Sequence, residues 1–402
     1  MNINTKTFTV MKLRNLAISA LAATFAVVSC NKQDTAPMAD SGLMAVEISL
    51  ENLNFTKAPT DAFLTSGDAA QLNNFKVFLT DGTNLLEAKS LDGQAPKYFY
   101  SAEDGDNLAD KVTIDLVPAA VNKVVIVGNV DNASWGDDAA DLAALRALTV
   151  EIEDEQIHSD LTLFGEAGLV ATGRTHDHEV ANTTYGVYSA DVQLAPLVAR
   201  FELDGFAFTF SGTNPKFDKV EVKQIALNNF YGTAAVSPVT PSDLVNNIQT
   251  VTDQSAMDYF AANLQQTDSK LKWYYDVVSG ISFERANADA DGMVKANMDQ
   301  KLSYHFFPAE TDPQLFIELS VTPTGDSVSL PSYVYSKSFK KSNGEPVTFE
   351  PGYVYRMNFA GSADNGDGDI PFDEDDINQI EKCLEITVEV LPWQIVSIYP
   401  EF

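Results

Sequence analysis

The densest set of candidate metal ligands is Asp364-Asn365-Gly366-Asp367-Gly368-Asp369, followed by Asp373, Glu374, Asp375 and Asp376. Carboxylate oxygens at alternate positions are what a calcium loop supplies. Counted from Asn365, Asp367 and Asp369 fall at the third and fifth places and Asp376 at the twelfth. The sixth place, where such a loop turns on a glycine, holds Ile370, and the twelfth lacks the bidentate glutamate. A solvated acidic loop fits this register better than a calcium site of Asn365, Asp367, Asp369 and Asp376. His176-Asp177-His178 gathers two of the four histidines between Gly173 and Asn182. The stretch reads as a loop tip, and no third ligand with metal-site spacing accompanies it. No nucleophile elbow, phosphate loop or Cys/His pairing occurs, so no catalytic residue, no cofactor and no enzymatic activity are expected. Trp273, Tyr274 and Tyr275 offer faces that could stack on a sugar, though core packing is the better account of them.

The two cysteines are Cys30 and Cys383. Met11-Lys12-Leu13-Arg14-Asn15 is a short basic segment, and Leu16 to Val28 is an apolar run too short to span a membrane as a helix. It ends at Val27-Val28-Ser29-Cys30, which resembles the lipobox of bacterial lipoproteins. That resemblance implies cleavage between Ser29 and Cys30 and acylation of the Cys30 thiol, with Met11 the expected start. Residues 1–29 are then a signal peptide, and residues 30–42, polar around Pro37, a tether. The alternative is an ordinary signal peptide with a chance cysteine. With Cys30 lipidated, Cys383 has no intrachain partner and no disulfide framework is expected. The strand-like alternation from Glu381 to Val390 makes it a buried, inert thiol.

What must position any site is a β-rich chain. Apolar residues fall at every second position in Met44–Leu50, Phe75–Leu79, Val112–Leu116, Val220–Ile225, Phe316–Val321 and Leu384–Val390. This spacing sets one face on a core and the other in water. Asp81-Gly82, Asp92-Gly93 and Asn343-Gly344 mark turns, and antiparallel sandwiches follow. Ala139–Leu148 reads as a short helix, and Pro241-Ser242-Asp243-Leu244 as a helix start capped by Ser242 or Asp243. With 402 residues two domains are expected, divided near 190–196, where Ala195-Pro196 breaks the pattern. Against 26 basic residues stand 57 acidic ones, a net charge of −31, which argues against nucleic acid and anionic membrane surfaces as partners.

Several stretches resemble the fimbrillins (type V pilins) of Bacteroides-type bacteria. They are Leu194–Leu203 with its Ala-Pro-Leu-Val-Ala-Arg-Phe, Val222–Tyr231 with its Asn-Asn-Phe-Tyr, Phe349–Met357 with its Pro-Gly-Tyr-Val-Tyr-Arg-Met, and Ile386–Val396. The resemblance implies an all-β chain of two transthyretin-like Greek-key β-sandwich domains with a few short helices, at 43–190 and 191–402. It also implies a route: an outer-membrane lipoprotein precursor, a Lys/Arg-specific protease that trims the first strand, and a fimbrium of copies and related subunits joined by strand exchange. Cleavage between Lys57 and Ala58 would release Leu43–Phe55 with the lipid. The donor strand would carry Leu384, Ile386, Val388, Val390, Trp393, Ile395 and Phe402, and its apolar end favours a shaft subunit over a tip or anchor. A non-polymerising surface lipoprotein that binds a glycan or host protein is the alternative.

Overall fold

The computed structural model describes residues 42–51, 70–88, 98–101, 111–157, 159–178, 183–245, 275–310, 312–341, 345–357, 371–373, 383–392 and 395–397. In chain order the first half contains β1 (Leu43–Glu51), β2 (Ala70–Leu72), β3 (Asn74–Thr80), β4 (Leu85–Leu86), β5 (Phe99–Ser101), β6 (Lys111–Pro118) and β7 (Lys123–Gly128). Then come helix α1 (Leu142–Arg146), β8 (Thr149–Glu151), β9 (Leu163–Gly168), β10 (Val170–His178), β11 (Thr183–Gln193) and β12 (Ala195–Pro196). The second half continues with β13 (Ala199–Thr209), β14 (Phe217–Asn228), β15 (Phe230–Ala235), β16 (Thr240–Val245), β17 (Tyr275–Val277), β18 (Ser282–Glu284) and β19 (Met293–Phe306). It closes with β20 (Gln314–Pro323), β21 (Leu330–Lys340), β22 (Tyr353–Met357), β23 (Pro371–Asp373), β24 (Cys383–Pro392) and β25 (Ile395–Ser397). The fold is all-β, as the alternation predicts.

In the first half a four-stranded sheet, β10-β11-β1-β6, faces a second sheet ordered β12-β9-β7-β3-β4, with β5 on β3. Met44, Val46 and Ile48 of β1, Val112 and Ile114 of β6, and Ala190 and Val192 of β11 share one core with Phe75, Val77, Leu79, Val124 and Ile126. The two-residue period supplies one inward face per sheet, and burying those faces is the main favourable term. The expected junction at 190–196 runs from the end of β11 through β12, which pairs β9, to the start of β13.

In the second half the strands run β17-β14-β20-β21-β24-β22-β13-β19, with β18 on β14 and β23 on β13. The two wings of this sheet face one another. Phe201 of β13 stacks on Phe339 of β21 at 5.1 Å between ring centroids and on Phe306 of β19 at 4.6 Å. Phe349 meets Phe201 edge-on at 5.2 Å. Such offset and edge-to-face contacts add to the area these rings bury.

Helix α1 forms where the period predicts it. The Asp141 carboxylate accepts from the Ala144 N–H, and Leu142 and Leu145 face the core. The second helix does not form. Pro241–Leu244 lies in β16, paired with β15 from Phe230↔Val245 to Ala235↔Thr240. Ser242 caps nothing; its hydroxyl lies 2.7 Å from the Thr233 hydroxyl across the hairpin, and Asp243 takes φ +62°. Cross-strand pairing here outweighs a local cap signal. His176-Asp177-His178 is likewise no loop tip but the end of β10, in register with Thr183–Tyr185 of β11. Solvated residues on both faces disguise a strand at the sheet's edge.

Candidate functional site

The site defined by this fold is a pair of interior strand positions. β1 lies between two partners of opposite sense. It runs parallel to β11, from Ala45↔Val187 to Glu51↔Gln193, and antiparallel to β6, from Leu43↔Pro118 to Ser49↔Lys111. Met44, Val46 and Ile48 are each at most 3% exposed. Full burial of such side chains is worth about 1.5–3 kcal/mol each. On the other face Ala45 packs with Leu116, Tyr185 and Val187. Glu47 accepts from both terminal nitrogens of Arg174 on β10, and this pairing raises the guanidinium pKa further. A fork of this kind fixes geometry as well as charge. Were β1 to leave, β11 and β6 would each expose a row of backbone donors and acceptors beside an apolar trench.

β24 occupies the matching position in the second half. It runs parallel to β21, from Tyr335↔Cys383 to Lys340↔Thr387, and antiparallel to β22, from Tyr353↔Pro392 to Met357↔Val388. It is the seam between the two wings: without it the strands β17-β14-β20-β21 and β22-β13-β19 share no ladder. β25 then pairs parallel with β2, Ala70↔Ile395 to Leu72↔Ser397. Leu384, Ile386, Val388 and Val390 thus lie in β24 and Ile395 in β25. Ser29, Cys30, Lys57, Ala58, Asn365, Asp367, Asp369, Asp376, Trp393 and Phe402 lie outside the described residues. Of the two histidines, His176 of β10 places Nε2 3.4 Å from a carboxylate oxygen of Asp115 on β6. Among the described residues no group of three or more His, Cys, Asp or Glu is placed to hold a metal.

Sequence reading missed a buried polar layer. Arg200 and Glu202 alternate with Phe201 and Leu203 and read as a solvent face, yet their side chains are only 7% exposed. Arg200 Nε lies 3.0 Å from Glu202, and Arg356 of β22 donates to Glu202 at 3.2 Å from both Nε and an Nη. Glu389 of β24 stands opposite Arg356 in the register. Beside this layer His305 Nδ1 lies 2.6 Å from the Glu155 carbonyl oxygen. Burial pushes the Glu155 carboxyl up to about 7, against the opposing pull of hydrogen bonds from the Thr162 hydroxyl and N–H. The one signal available was charge on the β13 strand at alternate positions, which cannot tell water from a second layer.

No family model matches the sequence, and no curated protein matches it. Solved structures do. A candidate cell adhesion protein from Bacteroides eggerthii is 16% identical, with 89% of this chain and 98% of that one covered and a TM-score of 0.49. One from Parabacteroides distasonis is 15% identical over 88% and 98%, also at 0.49. The tip fimbrial protein Mfa3 of Porphyromonas gingivalis, C-terminally truncated, is 9% identical over 87% and 99%, at 0.34.

Proposed function

We propose that this chain is a structural subunit, of the shaft kind, of a cell-surface fimbrium. In this reading it is exported to the outer membrane as a lipoprotein acylated on Cys30. A Lys/Arg-specific protease cuts between Lys57 and Ala58, and β1 leaves with the lipid. Strand β24 of another copy then takes the vacated place. The observation that carries the reading is the shared environment of the two strands: each is interior, each has one parallel and one antiparallel neighbour. Strand addition needs that match of direction on both sides, plus alternate apolar side chains to fill the trench. The head-to-tail contact that results does not close on itself, so it propagates as a filament. The acidic surface keeps unassembled subunits apart.

One observation favours the second reading, a non-polymerising surface lipoprotein. β24 is already paired on both sides within its own chain, so donation requires its release. The experiment is limited trypsin-like cleavage of the purified precursor. The fimbrial reading expects a cut near Lys57 followed by ladders of polymers on a gel without boiling. Monomers that persist after complete cleavage would overturn it.

A further inference from the structure

β1 and β24 are alike in sequence as well as in setting. Ala45–Glu51 reads Ala-Val-Glu-Ile-Ser-Leu-Glu, and Cys383–Glu389 reads Cys-Leu-Glu-Ile-Thr-Val-Glu. Three of the seven positions are identical, and the other four exchange small for small, apolar for apolar or hydroxyl for hydroxyl. The seven residues of β1 are the same seven that pair with β11.

This alignment is also the register that the β1 position tolerates. A shift by an odd number of residues turns the apolar face outward. A shift of two that brings Glu385 to the place of Ala45 buries a carboxylate where Ala45 is 1% exposed among Leu116, Tyr185 and Val187. It also leaves Thr387 in front of Arg174. A shift of four in the same direction brings Glu389 to Arg174 but sets Pro392 where Leu50 pairs with Val192, and a proline inside a strand donates no ladder hydrogen bond. The opposite shift of two puts Cys383 in front of Arg174, with no carboxylate to pair. In the unshifted register Cys383 takes the place of buried Ala45, Leu384 that of Val46 and Ile386 that of Ile48. Glu385 takes the place of Glu47, which Arg174 grips with both terminal nitrogens.

We propose that Cys383–Glu389 of one copy replaces Ala45–Glu51 in a second copy residue for residue, and that Arg174 of the receiving copy sets this register by pairing with Glu385 of the incoming strand. The proposal rests on the strand-exchange reading above and adds to it the partner segment, its alignment and a specificity-determining residue. Arg174 is well placed for selection: it belongs to β10, two strands from the vacated position, so it stays when β1 departs. An ion pair at such an exposed residue adds little to stability, while like charges in its place oppose the wrong strand.

The test uses the full chain with a site for a sequence-specific protease in place of residues 56–59, so that charge variants leave the cut unchanged. R174E alone and E385R alone should polymerise several-fold more slowly than the parent after cleavage. An equimolar mixture of the two should recover, because every junction then joins opposite charges; so should the R174E/E385R double variant. If E385R lowers the melting temperature of the uncut chain, E385Q replaces it and should partly restore R174E. Single variants that polymerise at the parental rate, or R174E rescued by E389R instead of E385R, would overturn the register. A cut parent that stays monomeric would instead overturn strand exchange itself.

Discussion

Ile48→Ala separates the strand-exchange account from its rival because it acts on a residue that should be absent from the polymer. Ile48 is fully buried, stands opposite Val112 and Ala190 on its two neighbours, and packs in the hydrophobic core. The change removes about three carbons at ~0.8 kcal/mol each, with a cavity term added, so the uncut chain should lose roughly 2–5 kcal/mol. Since ~1.4 kcal/mol is a factor of about ten, β1 should vacate its place on the order of a hundredfold more often at the middle of that range. Urea unfolding of the uncut variant, followed by tryptophan fluorescence, should therefore show a lowered midpoint, and polymers should form faster after cleavage. Once polymerised, the variant should resist urea as the parent does, since residue 48 has left with β1. A polymer weakened as much as the uncut chain would mean that β1 never left, and would refute the reasoning.

Three more outcomes follow from the same geometry. The Glu155 carboxyl rises from 4.5 unfolded to about 7 folded, so the folded state holds the extra proton between those values and stability falls as pH rises through them. That loss is about 3 kcal/mol at ~1.4 kcal/mol per pH unit, and urea midpoints of Glu155→Gln across pH 5 to 8 should be flatter than the parent's. At Gly165, which is held against β11, a Cβ would sit 2.2 Å from the Gln193 carbonyl oxygen, so Gly165→Ala should cost about 1–3 kcal/mol and lower the melting temperature. Cys30→Ser should abolish labelling of the precursor by radioactive palmitate while leaving its circular dichroism unchanged.

What could be read from the sequence was whatever repeats at short range. β1, β3, β14, β20 and β24 all lie where apolar residues alternate, and α1 where leucines fall three apart, because one buried face writes a period into the chain. The failures lie where strand pairing or burial overrides what the local residues prefer. β16 was disguised by Pro241, Ser242 and Asp243, whose local preference for a helix start is outweighed by pairing with β15. β10 was hidden because its Arg174, Thr175 and Asp177 are exposed at an edge, so no apolar face marks it. The layer of Arg200, Glu202 and Arg356 wrote a solvent pattern into a place that a second layer covers. The candidate site divides in the same way. Both strands were legible, but the mixed parallel and antiparallel surroundings on which the strand-exchange proposal rests depend on β6, β11, β21 and β22, from 31 to more than 140 residues distant.

The most direct test is to cut the chain near Lys57, isolate the polymer by gel filtration, unfold it and weigh every peptide by mass spectrometry. The account predicts subunits that begin after the cut, with the peptide bearing Leu43–Glu51 found only in the low-mass fraction. That peptide recovered from the polymer in equal amount with the subunits would contradict it, because β1 would still occupy the place that the neighbour's strand is meant to fill.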